Sequence, residues 1–277
     1  MLARAARAVA AVAAAALLSS CATTATVAGD DPASRWESAS GGSVDYQLGG
    51  ASEPDDGVTV VVRDASEPPA DGTFSICYLN GFQTQPGDAR WWLDEHPELL
   101  LRDGDGEPMI DPGWPDEMAL DTREPEQRAA IAAIVEPWVA GCAEQGHDAV
   151  EYDNLDSWTR FDGLTMDGNL ALAALLVDAA HAQGMWAAQK NALDAGDAGP
   201  AAGFDLVVSE ECGQYDECAG YAALYGDRHL DVEYVEETDE EAFVAMCEAG
   251  DLPALAVLRD RPLAPAGEAG HVRVVCP

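Results

Sequence analysis

Two short stretches carry the chemistry of this sequence. One reads Glu151-Tyr152-Asp153-Asn154-Leu155-Asp156, the other Ser209-Glu210-Glu211-Cys212. Each ends an apolar, β-branched run, and Lys190-Asn191 ends a similar run between them. Carboxyl groups crowded into one site do not all ionise freely, so one keeps its proton while another stays charged. Acetal cleavage needs that division: a protonated carboxyl for the leaving oxygen, and a carboxylate to attack carbon or activate water. Asp153 and Glu210 are candidates for such a pair, and Lys190 could hold a neighbour ionised. No Ser-His-Asp arrangement competes with them. There is no CxxC pair and the five histidines are scattered, so acids clustered around a divalent metal are a weak alternative. No metal and no cofactor is expected.

These residues need elements that bring them together. Eight runs read as strands: Val58–Asp64, Thr73–Asn80, Met118–Arg123, Asp148–Asn154, Met185–Asn191, Phe204–Cys212, Leu230–Val235 and Pro253–Asp260. Several are nearly continuous in apolar residues, as strands covered on both faces are. Helical patterns lie between them. Pro125 opens one that runs to Gly141, Asp167 or Asn169 caps a second that runs to Gly184, and Thr238 caps a third over Asp239–Ala249. The segments after the first and fifth runs are short. Strand and helix in alternation over a chain of this length predict an α/β fold, a single-domain (β/α)8 TIM barrel. An open doubly wound sheet is disfavoured, because Val62-Arg63-Asp64-Ala65 lacks the glycines of a phosphate loop.

In a barrel all strand ends point to one face, where loops build the site. The polar strand ends therefore become candidate substrate-binding residues: Asp64, Tyr78, Asn80, Asp121, Arg123, Asn154, Asp156, Lys190, Glu211, Glu233 and Tyr234. Flat side chains stack on sugar rings. Trp36, Tyr46, Tyr78, Trp114, Tyr152, Tyr215 and Tyr234 are candidates, of which two or three should face substrate; Trp138 and Trp186 are expected in the core.

The N-terminus reads as an export signal. Arg4 and Arg7 precede an Ala-rich apolar run, Ala8–Leu18, too short to span a bilayer. Leu18-Ser19-Ser20-Cys21 then resembles a bacterial lipobox, with Cys21 as the lipidated residue. Residues 1–20 are assigned to the signal, 21–42 to a flexible tether and 43–277 to the barrel, anchored to the outer face of the cell membrane. Of seven cysteines, six remain beyond Cys21, an even number that suggests disulfides in an exported chain; Cys212–Cys218 is the most local pairing. The formal charge of −37 excludes nucleic acid as a partner and attracts cations, although acids spread along the whole chain also serve solubility. A monomer acting on a polysaccharide is expected.

The same segments resemble glycoside hydrolase family 114, the endo-α-1,4-polygalactosaminidases, from about Tyr46 to Cys276. The matching stretches are Tyr46-Gln47-Leu48-Gly49, Ile76-Cys77-Tyr78-Leu79, Ala119-Leu120-Asp121-Thr122-Arg123 and Glu151 to Asp156. They continue with Gln189-Lys190-Asn191, Glu210-Glu211-Cys212, Tyr215-Asp216-Glu217-Cys218 and Glu233-Tyr234. The resemblance implies a cofactor-free barrel enzyme that cuts α-1,4-linked galactosamine polymers, whose units are cationic when not acetylated. It places the catalytic Asp of an E-P-D-N motif at Asp153 and the catalytic Glu of an N-E-Q-C motif at Glu210. Two departures stand out. Tyr152 replaces Pro, and Ser209-Glu210-Glu211 replaces Asn-Glu-Gln. They motivate an alternative, a cell-surface carbohydrate-binding barrel that has lost catalysis.

Overall fold

The computed structural model describes residues 31–277. Eight strands lie parallel and in chain order: β1 (Ser43–Gln47), β2 (Val58–Asp64), β3 (Phe74–Asn80), β4 (Ala149–Asp153), β5 (Trp186–Lys190), β6 (Leu206–Glu210), β7 (His229–Tyr234) and β8 (Leu255–Arg259). A ninth, β9 (Arg273–Val275), pairs antiparallel with β8. Helices α1 (Pro32–Ala39), α2 (Ala89–Glu95), α3 (Pro125–Gln145), α4 (Met166–Ala182), α5 (Ala198–Ala201), α6 (Cys218–Tyr225) and α7 (Glu240–Ala249) complete a (β/α)8 barrel.

No hydrogen-bonded ladder joins β8 to β1. Guanidinium groups bridge the seam instead. Arg259 on β8 pairs with Asp45 at 3.2 Å and donates to the Tyr46 carbonyl, and Arg273 on β9 donates to the Val44 carbonyl at 3.0 Å.

Strand alternation sorts the side chains into two cores. Val60, Val62, Ile76, Ala188, Val208, Leu230 and Val257 fill the barrel interior. Cys77, Val150, Ala187 and Val207 face outward and pack against Ile131, Val135, Leu172 and Leu176 of α3 and α4. At the N-terminal ends of the strands Trp36 of α1 meets Phe74 edge-on at 5.1 Å and Trp186 at 6.0 Å, closing the bottom of the barrel.

Seven of the eight expected strands form. The exception is Met118–Arg123. Its residues make only isolated bridges, Ile110 to Met118, Gln83 to Ala119 and Leu100 to Leu120, so it belongs to a long excursion between β3 and α3 that folds over the barrel mouth. The strand that takes its place in the count is β1. The segment assigned to a tether up to residue 42 holds α1, so Trp36 is barrel core rather than a sugar platform. The tether's earlier part, the signal and Cys21 lie outside the described residues. Two helix caps shift by a few positions: Thr165 caps α4 and Asp239 caps α7. The six cysteines pair as Cys77–Cys142, Cys212–Cys218 and Cys247–Cys276.

Candidate active site

The C-terminal ends of the strands surround a cavity of about 880 Å3. Lys190, at the end of β5, stands at its floor and is 2 % exposed. Its ammonium donates to the Tyr46 hydroxyl at 2.8 Å and to Glu151 Oε1 at 3.0 Å. Asp153 Oδ2 and Glu210 Oε2 each lie 3.7 Å from the same nitrogen. Those two carboxylate oxygens, from β4 and β6, are therefore no farther apart than twice that distance. Burial alone would depress the Lys190 ammonium, yet Asp153, Glu151 and Glu210 raise it well above the ordinary lysine value and keep it charged.

Each acid has a tyrosine partner. Tyr78 donates to Asp153 Oδ2 at 2.7 Å, and Tyr234 donates to Glu210 Oε1 at 2.5 Å. Burial and the adjacent carboxylates raise both phenols well above their usual range, so they stay protonated as donors. The remaining oxygens are also held: Asp153 Oδ1 accepts from the Asn154 backbone at 2.7 Å, and Glu210 Oε2 accepts from Asn191 Nδ2 at 3.0 Å. Asn191 accepts in turn from the Glu210 backbone at 2.7 Å.

The backbone around these residues is unusual. Asn154, Asn191, Ala192 and Glu211 follow β4, β5 and β6 with φ of 64°, 48°, 65° and 58°. Non-glycine residues in the left-handed region carry strain, and such strain gathers where side chains must be aimed.

The structure brings Asp64, Tyr78, Asn154, Asp156 and Tyr234 to the cavity beside Asp153, Lys190 and Glu210. It does not bring five of the expected residues there. Asp121 and Arg123 pair with each other at 2.6 Å near the start of α3. Glu233 is fully buried on the outer face of β7 and accepts from the Gly213 backbone at 2.7 Å. Glu211 turns away from Glu210 and pairs with Arg261 at 2.9 Å. Asn80 lies behind the cavity wall, where it donates to Glu117.

Several lining residues escaped the sequence reading. Glu117 and Asp111 come from the excursion before α3, which also brings the expected Trp114 to the rim, 55 % exposed. Arg160 reaches Asp156 at 2.8 Å and Asp111 at 3.2 Å. Its spacing from Asp156, one helical turn along the chain, was the available signal. Arg261 lies over the Tyr234 ring at 4.3 Å. Tyr152 faces the outer layer, where its hydroxyl donates to the Leu176 carbonyl, and is not a sugar platform. Neither Tyr152 nor Glu211, two of the positions that depart from the family motif, lines the cavity.

The model of glycoside hydrolase family GH114 matches residues 24–277. The chain belongs to this family. Among solved structures it is similar to Aspergillus fumigatus Ega3, crystallised with galactosamine. The TM-score is 0.68 at 21 % identity, over 86 % of this chain and 96 % of that one. It is also similar to the glycoside hydrolase domain of Pseudomonas aeruginosa PelA, with TM-score 0.57 and 18 % identity over 84 % and 98 %. At these identities the likenesses show the barrel. No curated protein sequence matches.

Proposed function

We propose that this GH114 member hydrolyses a galactosamine-type polysaccharide, α-1,4-linked, at internal bonds, with Asp153 and Glu210 as its two catalytic carboxylates. One observation carries the reading: two carboxylates from different strands, each with a tyrosine donor, stand at equal distance from one buried ammonium at the mouth of the barrel. Glu210 protonates the glycosidic oxygen as the bond to the anomeric carbon breaks. Asp153 attacks that carbon from the other side. Glu210, now ionised, then takes a proton from the water that releases the sugar. Lys190 and the two tyrosines fix both carboxyl groups in place, so little reorganisation is needed as charge moves. Family membership supports glycoside hydrolysis. The galactosamine in the Ega3 crystal and the strongly acidic chain support a cationic sugar.

The test is incubation of purified protein with de-N-acetylated and N-acetylated galactosamine polymers, with released oligomers read by mass spectrometry. Wild type releases a range of oligomers, while Asp153→Asn and Glu210→Gln release none. Full activity in either variant removes that residue from the pair. A covalent sugar adduct on Asp153 in the quenched reaction would fix it as the nucleophile.

We also propose export and lipid attachment at Cys21. Three disulfides fit an oxidising compartment. Fatty-acid labelling in the host should mark the wild-type chain and not Cys21→Ala.

A further inference from the structure

Among the cavity acids without a task in the reaction as derived, Glu117 stands out because it is buried and no cation among the described residues pairs with it. Glu117 comes from the excursion before α3 and is 5 % exposed, yet it lines the cavity. Its Oε2 is held by three amides: Asn80 at 2.7 Å, Gln83 at 3.1 Å and Asn154 at 3.4 Å. Amides orient a carboxylate but do not neutralise it. Oε1 has no hydrogen-bond partner among the described residues. The cations nearby are committed elsewhere. Arg160 is bound by Asp111, Asp156 and Asn154 Oδ1, and Lys190 by Glu151, Asp153 and Glu210.

We propose that Glu117 is the receptor for the ammonium group of a hexosammonium unit, and so the residue by which the site tells a free amine from an acetamide. The proposal rests on the galactosamine reading above and deepens it. Placement favours it. In a 2-amino sugar the nitrogen sits on the carbon next to the anomeric carbon, so its receptor must stand beside the group that attacks. Glu117 does so, because Asn154 links the two: its side chain donates to Glu117 and its backbone donates to Asp153.

The electrostatics agree. Burial, with Asp153 and Asp111 facing it, pushes the Glu117 carboxyl up to about 7, against the opposing pull of Asn80 and Arg160. An arriving ammonium supplies the counter-charge that the protein withholds and ionises the acid on binding. A neutral acetamide supplies none. Recognition therefore depends on the substrate's charge.

The experiment compares wild type, Glu117→Gln and Glu117→Asp on de-N-acetylated and N-acetylated galactosamine oligomers. Galactosamine and N-acetylgalactosamine binding is measured by calorimetry in parallel. The Gln variant keeps the amide contacts and the shape but removes the charge. The ratio of kcat/KM for the de-N-acetylated over the acetylated substrate should fall about 10- to 100-fold, the effect of one charged hydrogen bond. The Asp variant should recover part of it. Preference for galactosamine over N-acetylgalactosamine in binding should fall alongside. A ratio unchanged in Glu117→Gln, or equal losses on both substrates, overturns the inference and leaves Glu117 as a strut for Asn80 and Asn154. If wild type cuts neither polymer, the galactosamine reading fails. Calorimetry then decides the Glu117 inference alone, which falls if wild type and Glu117→Gln show the same sugar preference.

Discussion

Glu210 and Glu211 are neighbours in the chain and face opposite ways. Glu210 points into the cavity, where its contacts are Tyr234, Asn191 and Lys190. Glu211 points out, to Arg261. The same division runs round the barrel. Inward residues at the mouth, Tyr78, Asp153, Lys190 and Tyr234, bind one another and leave room for a ligand. Outward residues at the same strand ends bind loop backbone. Arg63 on β2 donates to the Ser52 and Pro68 carbonyls, Gln189 on β5 to the Asn191 carbonyl, and Glu233 on β7 accepts from Gly213 and Gln214. Polar character at a strand end thus has two meanings. Inner residues line the cavity and outer ones tie down the loops that shape it, and strand parity separates the two.

That contrast can be broken by mutation. The largest effect belongs to the inner face: Asp153→Asn and Glu210→Gln should lower kcat by about 10^2- to 10^4-fold while the thermal midpoint stays near wild type. Lys190→Met removes the cation that Glu151, Asp153 and Glu210 share. Glu151, fully buried, then loses its charged partner, and urea unfolding should show a loss of about 3–5 kcal/mol along with the activity. On the outer face the two readouts should separate. Glu233→Ala leaves the Gly213 and Gln214 amides without their acceptor, which costs about 1–3 kcal/mol of stability, with kcat changed much less. A collapse of kcat with stability intact would put Glu233 in the chemistry and end the distinction.

The smallest effect sharpens the picture at Glu117. Its folded pKa, about 7, lies above the ordinary 4.5. Between those values the folded protein holds a proton that the unfolded chain releases, so this group lowers stability as pH rises through that window. The effect is absent below pH 4.5 and complete above pH 7. Glu117→Gln should flatten the decline in thermal midpoint over that range; an unaltered slope would mean the acid is not protonated there.

Much of this was written in local pattern. Seven strand runs, the helices α3, α4 and α7, and the two acid motifs could be read directly, because each depends on residues close together in sequence. The alternation within Ser209-Glu210-Glu211 and Glu233-Tyr234 was legible too, and it would have set Glu211 and Glu233 apart from the site. β1 was hidden because its apolar Val44 and Tyr46 alternate with polar Asp45 and Gln47 on the outward positions, so it lacks the continuous apolar run of the other strands. Met118–Arg123 looked like a strand because it is extended and apolar, and nothing local says that its partners are Gln83, Leu100 and Ile110.

By itself, then, the sequence determined the barrel's alternating elements, the acids at the ends of β4 and β6, and the cysteines available to be paired. Tertiary structure alone decided that Lys190 meets Tyr46 from 144 positions away, that Glu117 and Arg160 reach the same cavity, and which cysteines join. The physical reason is range. Helix and strand periodicity is set by steric and hydrogen-bond preferences within a few residues. The meeting of distant charges is set by closure of the sheet, which residue spacing does not encode.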